Sequence, residues 1–194
     1  FGHIEVLGAA PSAKEGLKIA LAGKPDVVLM DINMPRISGL EATRQIKEVD
    51  DYVRIIILTI HAQNPYPKQL LDAGAQSLLI PMVESGAQAQ ELVDAVTYPP
   101  HGVRGVGSAL ARASNFAAIG DYLTTAREQI CLLAQVENKK GMDALDDILA
   151  VEDIDGVFIG PSDLAADMGF IGQPNMPEVK EAVLFADMPA RVAL

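Results

Sequence analysis

The amino-acid sequence predicts an α/β fold built from parallel β/α units. Short apolar and β-branched runs alternate along the chain with amphipathic segments, an order typical of a parallel sheet with crossover helices. The apolar runs are continuous rather than interrupted by a polar residue at every second position. Continuous runs are expected of strands that are covered on both faces.

Six apolar runs are predicted to be strands. They are residues 4–8, 27–32, 55–60, 77–82, 130–136 and 156–159. A closed β/α barrel has eight strands, so six predict either an open doubly wound sheet or an incomplete barrel. Hydrophobic residues make up 49% of the 194-residue chain, which is enough for one sizeable core.

The segments between the strands have helix start and stop signals. Ser12 with Glu15, and Ser38 with Glu41, fit the capping box, in which a hydroxyl and a carboxylate each satisfy an amide at the helix start. Gly74 follows an apolar helical segment and predicts its C-terminal end. Two apolar stripes with helical spacing predict two further helices: Ala89, Leu92, Val93 and Val96, and then Met142, Leu145, Ile148 and Leu149.

The net charge and the single cysteine indicate which binding partners and which cellular compartment to expect. The formal net charge is −11 and no basic patch stands out, so a surface for nucleic acid or for anionic membranes is not expected. No apolar run approaches the roughly 18 residues of a membrane span, and the first residues do not form a signal peptide. Cys131 has no partner for an internal disulfide, which predicts a cytoplasmic protein with Cys131 as a small buried residue.

Three strings in the N-terminal third carry a resemblance: residues 25–35, 38–42 and 55–59. On these strings, residues 4–63 resemble the receiver domain of response regulators, which has a flavodoxin-like fold. The resemblance implies that Asp31, at a strand end, is a phosphoacceptor and that Thr59 is the switch hydroxyl. The family's Mg²⁺-binding acidic pair and its phosphate-pairing lysine have no counterpart here, so we expect phosphotransfer to Asp31 to be impaired.

Three further strings carry a second resemblance: residues 98–114, 134–137 and 155–164. The first lies in the long irregular stretch 97–118, and a loop of that length is usually functional or part of an interface. On these strings, residues 69–183 resemble the HpcH/HpaI aldolases, and among them the 4-hydroxy-2-oxoheptanedioate aldolases. The resemblance implies a TIM-type barrel and a lyase that cleaves 4-hydroxy-2-oxoacids to pyruvate and an aldehyde.

Residues at two neighbouring strand ends agree with a metal-dependent lyase. Gln135 and Glu137 lie two apart at the end of a strand, so their side chains point to the same face. Asp163 comes just after the next strand, where a helix begins. Carboxylates at the C-terminal ends of adjacent parallel strands form a hard-oxygen site that suits Mg²⁺ or Mn²⁺.

The aldolase resemblance assigns roles to individual residues. Glu137 and Asp163 are implied to be the metal ligands, and Gln135 and Arg104 are the candidate catalytic residues. For Arg104, shaping of the loop or a subunit contact is an open alternative. A small 2-oxoacid is the implied substrate, and the family implies a homo-oligomer. The implied substrate-binding residues form one run: Gly160, Pro161, Ser162 and Asp163.

Taken together, the sequence predicts a partial or hybrid TIM-type (β/α) barrel with a flavodoxin-like N-terminal portion. The predicted segments are residues 1–68, receiver-like; 69–183, aldolase-like; and 184–194, unassigned.

The family's acid/base histidine would fall near Met34, and its enolate-binding arginine would fall in residues 57–59, but neither is present. We therefore expect weak or no aldolase turnover. Two alternatives stay open. One is a receiver module, and the other is an engineered or recombined chimera without evolved activity, which a start at Phe1 and an in-register splice would fit.

Overall fold

One parallel sheet organises the molecule. The computed structural model describes residues 4–34, 37–59 and 66–186. Within these ranges five strands form a single sheet in sequential order, each hydrogen-bonded in parallel to the next. The strands are β1 (Val27–Asp31), β2 (Arg54–Leu58), β3 (Ser77–Ile80), β4 (Cys131–Val136) and β5 (Gly156–Ile159). The prediction of an α/β fold of parallel β/α units is confirmed.

Helices precede, connect and follow the strands. They are α1 (Ala13–Gly23), α2 (Gly39–Val49), α3 (Tyr66–Asp72), α4 (Gly86–Val96), α5 (Tyr122–Thr125), α6 (Lys139–Asp143), α7 (Leu145–Leu149), α8 (Pro161–Asp167) and α9 (Pro177–Ala186). The connection from α4 to β4 is irregular and contains 3₁₀ turns at Ser108–Leu110, Arg112–Ser114 and Ala126–Gln129. None of the helices in the described ranges is long and apolar enough to span a bilayer.

The predicted signals lie at the observed helix ends. Among the hydrogen bonds of the described residues, only the serine half of each capping box forms, and the Glu41 carboxylate accepts the Gln45 side-chain amide instead. The Ser12 hydroxyl accepts the Glu15 amide at 3.4 Å, and the Ser38 hydroxyl accepts the Glu41 amide at 3.3 Å. Gly74 ends α3 with a φ of +102°, a conformation that glycine adopts without strain. The Gly74 and Ala75 amides then turn back to the carbonyls of Leu71 and Leu70, which is the Schellman arrangement.

The larger of the two hydrophobic clusters in the described residues is the core between the sheet and the helices. Both predicted stripes contribute to it, and so do alternate strand residues such as Ile57, Leu78 and Leu132. This core and the sheet both include residues before and after position 68. The predicted boundaries of the receiver-like and aldolase-like segments stay a prediction.

Two details of the strand prediction are wrong. The opposite face of the sheet is partly open, with Leu29 63% and Phe158 49% exposed, because the strands that face them across a closed barrel are not among the five described. Residues 4–10 form no strand. They lie along α1 instead, where Gly8 approaches Ile19.

Candidate active site

The C-terminal ends of the five parallel strands lie along one edge of the sheet. Asp31 ends β1, Thr59 follows β2, Met82 follows β3, Glu137 follows β4 and Gly160 follows β5. In β/α barrels this edge is where active-site residues are found. Apart from Arg104, the residues singled out by both sequence resemblances therefore lie on the same side of one sheet.

Glu137 is held in a fixed orientation at this edge. Its side chain is buried, with 4% of the residue exposed. The Met82 backbone amide donates to Oε1 at 3.1 Å, and the Gln135 side-chain amide donates to Oε2 in a short contact. Both donors are neutral, so the carboxylate has partners that orient it without cancelling its charge.

Asp163 lies close to Glu137 and opposes its ionisation. Asp163 is exposed in the first turn of α8. Burial raises the pKa of Glu137; the hydrogen bonds from Gln135 and Met82 lower it, and the Asp163 carboxyl raises it through its charge and through a hydrogen bond. The net direction is upward. Neighbouring carboxylate oxygens are the ligands that a hard divalent cation prefers.

Gly160 makes room for the carboxylate. A methyl group at this position would lie 2.6 Å from Oε2 and 2.7 Å from Cβ of Glu137. The φ of Gly160 is −91°, which other residues can adopt, so space is the reason for glycine here. The first backbone hydrogen bond of α8 is donated by the Leu164 amide to the Gly160 carbonyl. The amides of Ser162 and Asp163 come before Leu164 in the chain, ahead of this first helical hydrogen bond.

The loop after β3 supplies contacts that the sequence analysis missed. Met82 has a φ of +57°, which is uncommon for a residue with a side chain. Gln88 on α4 donates to the Met82 carbonyl at 3.3 Å and accepts the Glu84 amide at 2.9 Å. A signal was present, because Ser85 and Gln88 have the spacing of a capping box, and the Ser85 hydroxyl does accept the Gln88 amide.

Glu84 ties this loop to the segment that follows β4. Its carboxylate accepts the Asn138 side-chain amide at 2.7 Å and the Lys140 ammonium at 2.8 Å. Those two hydrogen bonds, that of Lys140 first, lower the pKa of Glu84. The loops after β3 and β4 are therefore joined at their exposed side as well as at Glu137.

Arg104 lies apart from Glu137 and Asp163. Its side chain is fully buried. One nitrogen, Nη2, lies 3.3 Å from both Asp72 Oδ1 and the Tyr122 hydroxyl, and the guanidinium lies 4.5 Å from the ring centre of Tyr98. These contacts anchor the stretch 97–118 to α3. The catalytic role predicted for Arg104 stays a prediction, and the structure does not bring it to Glu137.

Asp31 and Thr59 occupy the same edge at a distance from the carboxylate pair. Asp31 Oδ1 accepts the Asn33 amide at 2.9 Å, and Thr59 is buried. Three strand spacings of about 4.8 Å separate β1 from β4, roughly 14 Å along the sheet. In the described part of the chain, no three His, Cys, Asp or Glu side chains group as metal ligands. The receiver roles of both residues stay predictions.

A parallel sheet whose five described strands lie in sequential order is the strand arrangement of the β/α-barrel class of proteins. A sequence model of the HpcH/HpaI aldolase/citrate lyase family matches residues 11–193. The chain therefore belongs to this family. The match includes most of the segment that also resembles a receiver.

Similar proteins agree with this assignment. A hydroxypyruvate/pyruvate aldolase of Roseovarius nubinhibens is 64% identical over 116 residues, which cover 60% of this chain and 45% of the relative. A 4-hydroxy-2-oxo-heptane-1,7-dioate aldolase of Shigella sonnei is 47% identical and covers 73% of this chain and 60% of the relative. The chain thus spans about half the length of the curated relatives it matches.

A solved structure shows the same fold. The crystal structure of an HpcH/HpaI aldolase/citrate lyase family protein from Burkholderia cenocepacia J2315 superposes with a TM-score of 0.77 at 29% identity. The superposition covers 90% of this chain and 70% of that protein. The fold of known barrel-type family members therefore extends over nearly the whole chain, including the N-terminal third.

Proposed function

We propose that this chain carries the divalent-cation site of an aldolase-type lyase that acts on 2-oxoacids. The observation that carries the proposal is the approach of Asp163 to the buried Glu137, with Gly160 leaving space beside the carboxylate. The relatives named hydroxypyruvate/pyruvate aldolase and 4-hydroxy-2-oxo-heptane-1,7-dioate aldolase support the reaction class.

The donor set fits Mg²⁺ or Mn²⁺. Glu137 and Asp163 supply two hard carboxylate oxygens on adjacent strand ends, and the remaining positions are left to water and substrate. A divalent cation held by Glu137 and Asp163 would supply Lewis-acid chemistry to the 2-oxoacid. A site with open positions is what such chemistry requires.

The chain's own residues have separate tasks in this proposal. Gln135 keeps the Glu137 carboxylate turned towards the site through their side-chain hydrogen bond. The amides of Ser162 and Asp163, together with the turn at Gly160 and Pro161, receive the carboxylate of the oxoacid. The substrate is a 4-hydroxy-2-oxoacid, which is cleaved to pyruvate and an aldehyde.

Turnover is expected to be weak. The sequence has no histidine near Met34 and no arginine in residues 57–59, the places where the resemblance puts the acid/base and enolate-binding groups. Loss of general acid/base help typically costs about 10² to 10⁴ in rate. We therefore propose cation and pyruvate binding as the property that is retained best.

Calorimetric titration with Mn²⁺, with and without pyruvate, tests the site. We expect saturable binding to the full chain, and loss of that binding in the double variant Glu137→Ala, Asp163→Ala. The double variant Glu48→Ala, Glu91→Ala is the matched control, because it removes two exposed acids and changes the net charge equally. Binding that survives in the first double variant would refute the proposed site.

The phosphoacceptor alternative has its own test. Asp31 is exposed at the C-terminal end of β1, which is where a receiver carries its phosphoacceptor. Beryllofluoride, a phosphoryl mimic, would bind to the chain with Mg²⁺ present and would fail to bind to an Asp31→Asn variant. Equal signals from both forms would exclude Asp31 as the acceptor.

A further inference from the structure

Met82 contributes a backbone donor to the site from an unusual conformation. Its amide reaches Glu137 Oε1 while its φ is +57°. Residues with side chains hold such backbone angles only where surrounding contacts fix them, and they cluster at functional sites. The contacts that fix Met82 therefore bear on the orientation of Glu137.

Gln88 makes the side-chain contacts that hold this loop. Its amide nitrogen donates to the Met82 carbonyl, and its amide oxygen accepts the Glu84 amide. The Val83 amide donates to the Gln135 carbonyl at 3.1 Å. The peptide group between Met82 and Val83 is thus hydrogen-bonded through both its carbonyl and its amide. Of these two hydrogen bonds, the one from Gln88 comes from a side chain.

The contacts of Gln88 differ from those of an ordinary helix cap. In a capping box, the side chain three residues into the helix returns to the amide of the capping residue itself. Here the capping residue is Ser85, yet the Gln88 side chain reaches beyond it to Met82 and Glu84. The Gln88 side chain therefore contacts the loop whose Met82 amide binds Glu137.

We propose that Gln88 is a positioning residue for Glu137. It acts through the backbone of Met82, whose carbonyl it holds and whose amide contacts Glu137. The inference rests on the proposed cation site and adds a residue to it. With Gln88 in place, the Met82 amide stays on Oε1, and the carboxylate is presented to the cation in one orientation. Without Gln88, the Met82 carbonyl loses its donor and the strained backbone is free to relax.

A pair of matched substitutions on α4 tests the proposal. Gln88→Leu removes both side-chain bonds at similar volume. Gln90→Leu is the control, because Gln90 lies on the same helix, is exposed, and bonds to Asp94 on that helix at 2.9 Å. The free Mn²⁺ signal in electron paramagnetic resonance gives the dissociation constant for each full-length variant, and circular dichroism confirms that each is folded.

Gln88→Leu is expected to raise the Mn²⁺ dissociation constant about 10- to 100-fold, as loss of a partner that orients a ligand typically does. Gln90→Leu is expected to leave it within about twofold. A folded Gln88→Leu variant with unchanged affinity would overturn the proposal.

Hydrogen exchange of the Met82 amide, followed by NMR without metal, gives a second readout. Protection should fall in Gln88→Leu and persist in Gln90→Leu. If the wild-type chain binds no Mn²⁺, the proposed function fails, and this measurement alone decides the role of Gln88. Unchanged Met82 protection in Gln88→Leu would overturn that role.

Discussion

Substitution of Gly160 by alanine is the sharpest test of how the site is built. The added methyl would lie 2.6 Å from Glu137 Oε2, against 3.4 Å for an ordinary contact, which is a shortfall of about 0.8 Å. It would also lie 2.7 Å from Glu137 Cβ, which cannot swing away as a flexible chain end can. Because the φ of Gly160 is −91°, the substitution adds bulk without backbone strain.

The cost follows from where Glu137 can go. Its Oε1 is fixed by the Met82 amide and its Oε2 contacts the Gln135 amide, so the side chain moves only by breaking one of these bonds. Overpacking of this kind typically costs about 1–3 kcal/mol. For a chain of this length, each kcal/mol lowers the melting temperature by about 2–4 °C.

The assays are thermal unfolding and Mn²⁺ titration of Gly160→Ala beside Gly120→Ala. Gly120 is a matched control, because a methyl there meets no atom within 4 Å. We expect Gly160→Ala to lower the melting temperature and to weaken Mn²⁺ binding at least about 10-fold, since a ligand is displaced. If Gly160→Ala matched Gly120→Ala in both assays, Gly160 would not be needed to provide space for Glu137.

Three further substitutions give distinct outcomes. In urea unfolding without divalent ions, the wild type should gain stability relative to Glu137→Gln as the pH falls through the raised pKa of Glu137, because the buried carboxyl then becomes neutral. Lys140→Met should destabilise the protein at pH 7, because it removes the ammonium that holds the pKa of Glu84 down. This effect should disappear as the pH falls below 4.5 through that lowered pKa, and urea unfolding midpoints measured against pH would show it. Arg104→Met should lower the free energy of unfolding by about 1.5–3 kcal/mol in urea, because Tyr122 and Asp72 lose a buried charged partner while Asp72 keeps Lys68. Mn²⁺ affinity in the same variant should stay within about twofold, and a larger loss in a folded variant would indicate a role at the site.

Much of the fold could be predicted because its determinants are local. The capping serines, Ser12 and Ser38, and the helix stop at Gly74 act through residues within four positions of themselves. The false strand at residues 4–8 has Ile4, Val6 and Leu7 in a short apolar run, much as the true strands do, although Glu5 and Gly8 interrupt it. What separates them is non-local, since the true strands have neighbours to pair with, whereas residues 4–10 lie along α1.

The site divides in the same way. A spacing of two placed Gln135 and Glu137 on one face, and the start of a helix marked Asp163, so the carboxylate pair could be predicted from pattern. Met82 enters through its backbone, and a main-chain donor leaves no trace in residue type. Gln88 was detectable as part of a capping box, but only the structure shows that its side chain passes Ser85 and reaches the loop.

The two resemblances point to one edge because of a topological rule. Every parallel β/α unit delivers its strand-end residue to the C-terminal side of the sheet, so a receiver's phosphoacceptor and a barrel's metal ligand occupy equivalent positions. Asp31 therefore lies on the same edge as Glu137 without sharing its chemistry. Roughly 14 Å along the sheet separates β1 from β4, while metal–oxygen bonds are only about 2.0–2.6 Å long. Asp31 is thus too distant to be a third ligand in this arrangement, and a cation held by Glu137 and Asp163 would keep positions open for water and for the oxoacid of the proposed reaction.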